Sequence, residues 1–336
     1  MKAAVLNAPN SLEVKNVPEL QPGPDEVKVK IAYCGICGTD PEIIEGRFIP
    51  PEWTESTIKI PGHESSGTVV AVGDKVKNFK VGQRVACNFR SPCGACHYCR
   101  SGMENFCEAP IPTSGGFAEY CNYKESAVYP LPSNISLEVG AFLEPVSIAV
   151  HVVDLATLRP GASVAILGGG PIGLLSLQIA IRAGAVKTLV SEPVAEKREL
   201  AKKLGASVTV DPIKQDLAAA TRELTGGRGF RTVIDASGKA AVAKQAIPLA
   251  DKGGTIVWAA VYPSEARIEV PPFYMYQNEL TIKSVFLSPY CFPRALDLLP
   301  VLDIKSLTTD IVPLSDIGRG FDMHKQGKSV KILVKM

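Results

Sequence analysis

Residues 162–181 carry no charge, and in the middle of that run stand Gly168, Gly169, Gly170 and Pro171. About 20 apolar residues are enough to cross a bilayer. Here the glycine cluster, closed by proline, divides the run into a β-branched part at 164–167 and the start of a helical stretch at 172–182. A buried strand, a tight turn and a buried helix explain both halves, so the run predicts one βα unit of a packed core and no membrane span.

The rhythm continues after that unit. Strand-like runs at 188–191, 207–210, 232–236, 255–260 and 280–285 alternate with helical ones at 194–204, 215–224 and 240–249. Such alternation predicts an α/β fold with a doubly wound parallel sheet of about six strands. The first 135 residues have a different character, with short alternating runs such as Val27-Lys28-Val29-Lys30-Ile31 punctuated by Pro and Gly. They read as an all-β domain with tight turns. A chain of 336 residues exceeds what one hydrophobic core usually supports. We therefore expect residues 137–286 to form the doubly wound domain, inserted into a domain made of 1–136 and 287–336, with a last strand at 330–334 rejoining the first domain.

A formal net charge of +2, without any Lys/Arg-rich block, gives no reason to expect nucleic acid or an anionic membrane as partner. Met1 and Lys2 lead straight into the alternation of Ala3-Ala4-Val5-Leu6, with no apolar leader, so a cytoplasmic location is expected.

Gly168, Gly170 and Gly173 fit G-x-G-x-x-G between a predicted strand and a predicted helix. Gly168 allows the tight turn, Gly170 lets backbone approach a pyrophosphate, and Gly173 lets helix and strand pack closely. With Pro171 and Ile172 they open a helix whose free N–H groups favour phosphate. The next strand ends on Glu192, nineteen positions after Gly173. A carboxylate there can accept from both hydroxyls of an adenosine ribose and repels a 2′-phosphate, which favours NAD over NADP. Lys197 and Arg198 soften that preference, because both are cations within reach in sequence.

Nine cysteines are unevenly placed, four of them within fifteen residues as Cys93-x2-Cys96-x2-Cys99-x7-Cys107. This suits reduced thiolates binding metal better than a disulfide framework. Four thiolates make a closed tetrahedral shell, the mark of a structural zinc, and His97 inside the loop is then not needed as a ligand. An iron–sulfur cluster is the second choice, since the spacing does not match the ferredoxin runs.

Several segments in fixed order carry a resemblance: Cys34-Gly35-Ile36-Cys37-Gly38-Thr39-Asp40, Pro61-Gly62-His63-Glu64, the four-cysteine lobe, Gly115-Gly116-Phe117-Ala118-Glu119-Tyr120, Leu143-Glu144-Pro145 and the glycine-rich turn. Over nearly its whole length the chain resembles the zinc-containing medium-chain dehydrogenases, and is similar to the sorbitol, threonine and butanediol types. The resemblance implies a GroES-like β-barrel for the first domain and a Rossmann fold for the second, with a catalytic zinc and nicotinamide meeting in the cleft between them. It implies Cys37, His63 and Glu64 as ligands of that zinc, with Glu144 next to the metal as a direct ligand or through bound water. Two zinc ions per chain follow, one catalytic and one structural, and a homodimer or homotetramer.

The implied reaction is oxidation of a secondary alcohol (a vicinal diol, polyol, cyclitol or sugar alcohol) to a ketone, with hydride passing to NAD. Thr39 matches the hydroxyl that accepts the substrate proton. The relay histidine usual five positions after the cysteine is replaced by Glu42, and Pro41 also departs from the pattern. The proton then leaves through Glu42, the cofactor ribose or water. Leu287 stands where many sorbitol-type enzymes carry an arginine, which makes a long open polyol a weaker expectation. Phe48, Trp53, Phe117 and Tyr290 are candidates for lining the pocket or for packing; His151 and His324 read as structural. An amino alcohol is the alternative substrate, its ammonium suited to Glu42. A non-catalytic nucleotide-binding protein with only the structural zinc is the alternative from another class.

Overall fold

The computed structural model describes residues 1–50, 53, 57–113 and 115–336. The chain forms two compact units, one of Met1–Glu144 with Phe292–Met336 and the other of Pro145–Cys291. Both joins fall a few residues beyond the expected 136 and 286. At the first join the helix Leu137–Gly140 belongs to the β-rich unit: the Ser66 hydroxyl donates to the Leu137 carbonyl, and a methyl at Gly140 would lie 2.5 Å from Leu131 Cδ1.

The first unit is built on a seven-stranded sheet centred on the strand Glu26–Gly35. One side of this strand pairs antiparallel with Glu64–Val72 along most of its length. Its other side pairs first with Tyr120–Lys124 and then with Lys331–Lys335, so the C-terminal strand returns to the first domain as expected. Two register shifts against Glu64–Val72 bend the central strand, as bulges do. Val27, Val29, Ile31, Val69, Val85 and Tyr123 share one core cluster. Cys34, Ile36, Phe117, Phe321, Ile332 and Val334 belong to another.

The second unit holds a six-stranded parallel sheet. From edge to edge its strands are Val208–Val210, Lys187–Ser191, Ser163–Leu167, Phe230–Asp235, Ala250–Trp258 and Thr281–Ser284. In order of sequence this is 3-2-1-4-5-6, the doubly wound order, which reverses direction at Ser163–Leu167. That strand is buried from Val164 onward, because a parallel strand covered on both faces must be apolar throughout. The uncharged run thus divides into the strand Ser163–Leu167 and the helix Pro171–Arg182. Among the described residues no helix is long and apolar enough to cross a membrane.

Candidate active site

Cys37 lies two residues beyond the central strand of the first unit and two before the short helix Thr39–Ile44. His63 and Glu64 enter the neighbouring strand from Gly62, whose φ of +97° only glycine adopts comfortably. A side chain at Gly62 would also meet the Phe117 backbone nitrogen at 2.8 Å. The two strand ends bring a sulfur of Cys37, a ring nitrogen of His63 and a carboxylate oxygen of Glu64 within 4.8 Å of one another.

Asp40 holds the backbone of the first of these groups and faces the second. Its Oδ2 accepts from the Cys37 backbone N–H at 2.8 Å, and its Oδ1 lies 3.6 Å from His63 Nδ1. With Nδ1 facing a carboxylate, Nε2 is left for a metal, the usual arrangement of a ligating histidine. Burial opposes charge on His63, but the Cys37 sulfur and the Asp40 carboxylate outweigh it and hold its pKa well above the ordinary value.

Glu144 is buried as well: burial pushes its pKa up to about 7, with His63 pulling it down and Glu64 pushing it up. The site also holds a residue the motifs do not mark. Lys331, on the C-terminal strand, is 2% exposed; its Nζ forms an ion pair with Glu64 Oε2 and donates to the Ile36 carbonyl at 3.0 Å. The signal was a lysine between Val330 and Ile332, both buried, in an otherwise apolar strand. Gly35 makes room for the pair, since a methyl there would stand 2.0 Å from Glu64 Oε2.

Three buried carboxylates and a thiol therefore share the site with one ammonium, Lys331, and the His63 imidazole. An anion-rich buried set is costly unless a cation joins it, and sulfur, imidazole and carboxylate are zinc ligands that leave a fourth position open. The residues present fit a catalytic zinc.

Thr39 is the first residue of the short helix. Glu42, on the same helix, is held elsewhere: Arg47 donates to it at 2.6 and 2.7 Å, and this pairing lowers its pKa. Phe117 and Trp53 are packing residues. Phe117 is fully buried with its ring centroid 6.0 Å from that of Phe321, and Trp53 packs with Leu6 and Ile43. Phe48 and Tyr290 are exposed. His151 forms a cluster with Asp154 and Cys291 in the second unit.

The four-cysteine lobe closes as its spacing suggests, with the sulfurs of Cys93, Cys96, Cys99 and Cys107 within 4.8 Å of one another. Gly94 and Gly102 turn the loop at φ of +67° and +77°. Backbone N–H groups of Cys99 and Glu108 lower the Cys96 pKa to about 6, which prepares a thiolate. Arg90 pins the lobe by donating to the Asn105 and Cys107 carbonyls at 2.8 and 3.2 Å. His97 stands outside the sulfur cluster, exposed and edge-on to Tyr98.

In the second unit the glycine-rich turn has the expected form. Gly168 has φ of +110°, and a methyl on Gly173 would stand 2.0 Å from the Gly168 carbonyl oxygen. Beside Gly170 there is open space, and Pro171 and Ile172 begin the helix without a side-chain cap, so its first N–H groups suit an anion. Glu192 is buried at the end of its strand, one oxygen accepting from the Gly169 N–H at 2.7 Å and the other from the Val194 N–H at 2.9 Å. A carboxylate offers about four acceptor positions, which leaves capacity for two more donors. Lys197 is buried on the following helix; burial lowers its pKa while the Glu192 carboxylate works against that.

Comparison with known proteins agrees with both units. Residues 23–133 match the family described as alcohol dehydrogenase GroES-like domain, and residues 171–300 match the zinc-binding dehydrogenase family. D-arabinitol dehydrogenase 1 of Uromyces fabae is 33% identical over 320 residues, 93% of this chain and 90% of that protein. L-threonine 3-dehydrogenase of Caldanaerobacter subterraneus subsp. tengcongensis is 32% identical over 95% of this chain and 93% of its own. A zinc-binding dehydrogenase structure from Sinorhizobium meliloti 1021, bound to NADP, superposes with a TM-score of 0.91 at 33% identity, covering 100% of this chain and 99% of that one. A metal-ready donor set on a GroES-like unit, followed by a doubly wound nucleotide-binding unit, places the chain in the zinc-type medium-chain alcohol dehydrogenase family, oxidoreductases that act on CH–OH groups.

Proposed function

We propose that this chain oxidises a secondary alcohol of the vicinal diol, polyol, cyclitol or sugar alcohol class to a ketone, with NAD as hydride acceptor. The observation that carries this reading is the donor set of half-buried Cys37 and His63 with buried Glu64, accompanied by the buried carboxylates of Asp40 and Glu144 and partly balanced by Lys331. Cys37, His63 and one or both of Glu64 and Glu144 would hold a catalytic zinc, whose chemistry when bound is that of a Lewis acid that makes the substrate hydroxyl more acidic. Cys93, Cys96, Cys99 and Cys107 would hold a second, structural zinc.

The chain's own residues do the rest. Asp40 faces the imidazole, and Thr39 at the start of its helix accepts the hydroxyl proton. NAD, when bound, would supply the acceptor for the hydride that the carbinol carbon must lose as it becomes a ketone. The proton passes from Thr39 to water or the cofactor ribose. We assign Glu42 to the loop after its helix through Arg47, because a carboxylate already held by a guanidinium is a weak base. The same pairing disfavours the amino-alcohol reading, in which Glu42 would hold an ammonium. On the nucleotide side Gly168, Gly170, Pro171, Ile172 and Gly173 would receive the pyrophosphate, and Glu192 with Lys197 the adenosine ribose. Exposed Phe273 and Tyr276 on the helix before the edge strand Thr281–Ser284 suit a homodimeric or homotetrameric contact.

The test is a panel of diols, polyols, cyclitols and sugar alcohols, with L-threonine and amino-cyclitols beside them, assayed for NADH formation. Turnover of the amino alcohols alone would refute the substrate class. Elemental analysis should give two zinc ions per chain, where a single zinc without turnover would leave a nucleotide-binding protein with a structural metal only.

A further inference from the structure

Next to Glu192 lies a second cation whose position the cofactor reading does not use. Arg198, on the helix Ala195–Lys203, donates from Nη1 to the backbone carbonyl of Glu192 at 2.7 Å, so its guanidinium sits against the residue that would read the ribose. Its other amino group, Nη2, is 3.2 Å from Asp211 Oδ2. Asp211 follows the strand Val208–Val210, is buried, and is itself fixed: Oδ1 accepts from the Ile213 N–H at 3.1 Å, and its own N–H donates to Gln215 Oε1 at 2.8 Å. The neighbouring strand ends are joined as well, Glu192 N–H donating to the Val210 carbonyl at 3.0 Å.

We propose that Arg198 is a masked 2′-phosphate site and that Asp211 is the specificity-determining residue that masks it. A planar guanidinium beside the adenosine ribose is the group that recognises a 2′-phosphate best. In this chain two carboxylates oppose that use. Glu192 occupies the ribose side and repels the phosphate, and Asp211 neutralises Arg198 and holds its Nη2. Discrimination against the 2′-phosphorylated dinucleotide thus has two parts: a repulsive group, and a lock on an attractive one. Removing Glu192 alone leaves the lock in place, so it weakens NAD binding without creating an NADP site. Unlocking alone leaves the repulsion. Only both changes together free the arginine and admit the phosphate.

The proposal rests on the NAD reading, and one set of measurements separates the two. Zinc-replete protein is titrated with NADH and with NADPH, and Kd is read from nucleotide fluorescence. The proteins compared are wild type, Glu192→Gln, Asp211→Asn, the double variant, and the double variant with Arg198→Gln. Asparagine keeps the acceptor that Ile213 uses and removes the charge, and thermal melting confirms that each variant is folded. The double variant is expected to bind NADPH tighter than the product of the single effects by roughly tenfold or more, the weight of one charge-assisted hydrogen bond. Arg198→Gln is expected to erase that excess. If wild type prefers NADH while the single effects simply multiply, or the excess survives Arg198→Gln, the lock is overturned and the NAD reading stands. A wild-type preference for NADPH overturns both. Where Asp211→Asn fails to fold, Asp211→Ser in the same set takes its place.

Discussion

Lys331 and Glu64 form an ion pair in which the two side chains are 2% and 1% exposed, at the centre of the donor set. Lys331→Met removes the cation and leaves the carboxylate buried without it. Breaking a buried pair from one side costs about 3–5 kcal/mol, so the variant should unfold at markedly lower denaturant. Added zinc should restore part of the loss by placing a cation against Glu64. Unfolding midpoints measured with and without zinc check this, and a variant as stable as wild type in chelator would show that Lys331 does not balance Glu64.

Gly35 and Gly38 flank Cys37 and should respond in opposite ways to alanine. A methyl on Gly35 would stand 2.0 Å from Glu64 Oε2 and 2.9 Å from Lys331 Cε, whereas one on Gly38 meets nothing within 4 Å. Gly35→Ala should cost about 1–3 kcal/mol, as overpacking does, and reduce zinc content with it. Gly38→Ala, at a φ of −61°, should stay within about 1 kcal/mol of wild type. Equal behaviour of the two in melting and metal analysis would contradict the packing described here.

Asp40 touches Cys37 and His63 through different oxygens, so Asp40→Asn keeps the shape and loses the charge. Outer partners of metal ligands are worth about 10–100-fold in affinity or activity. A loss of that size in zinc affinity, measured by competition with a chelator, is the expected outcome, and an unchanged affinity would remove Asp40 from the site.

The two proposed zinc shells should fail differently. Cys37→Ser should lose more than about a hundredfold in kcat/KM, beyond what outer partners contribute, and keep its fold and nucleotide binding. Cys96→Ser should lose stability or yield, because structural zinc contributes directly to folding. Metal analysis should find one zinc per chain in each. Equal loss of fold in both variants would sink the division of roles.

The fold of the second unit was legible because its signals are local. A glycine is needed where Gly173 meets the Gly168 carbonyl, and an acid at a strand end stands out in an apolar run. Cys37, His63 and Glu64 were legible as motifs. Lys331 was not, since it reaches Ile36 across 295 positions and only the strand pairing of Leu333 with Gly35 delivers it there. Nor was the lock on Arg198, because which of two adjacent cations turns towards Asp211 depends on the seating of the helix. Trp53 and Phe117 show the limit from the other side: an aromatic that lines a pocket and one that fills a core have the same chemistry, and only burial separates them.

Glu42 lies on the short helix that follows Cys37, and its pairing with Arg47 decides what it can do. The guanidinium holds the carboxylate below its ordinary pKa of 4.5, so Glu42 stays ionised across the range in which an alcohol dehydrogenase works. A carboxylate depressed in the folded state contributes stability that is present above its unfolded pKa and lost as pH falls through the folded one. Glu42→Gln should therefore narrow the stability difference between neutral and mildly acid solution, by at most about 1 kcal/mol because the pair is partly exposed. The kcat–pH profile should overlay wild type at saturating substrate, with KM for polyols unchanged. A general acid–base group would instead cost roughly 10²–10⁴-fold. If the variant slows towards low pH, where release of the proton is hardest, the proton does leave through Glu42 and Arg47 must let go during turnover. Arg47→Gln then tests the same point from the other partner: it should raise the pKa of Glu42 and leave kcat alone if the pair is structural, and it should speed turnover if the pair withholds a working relay.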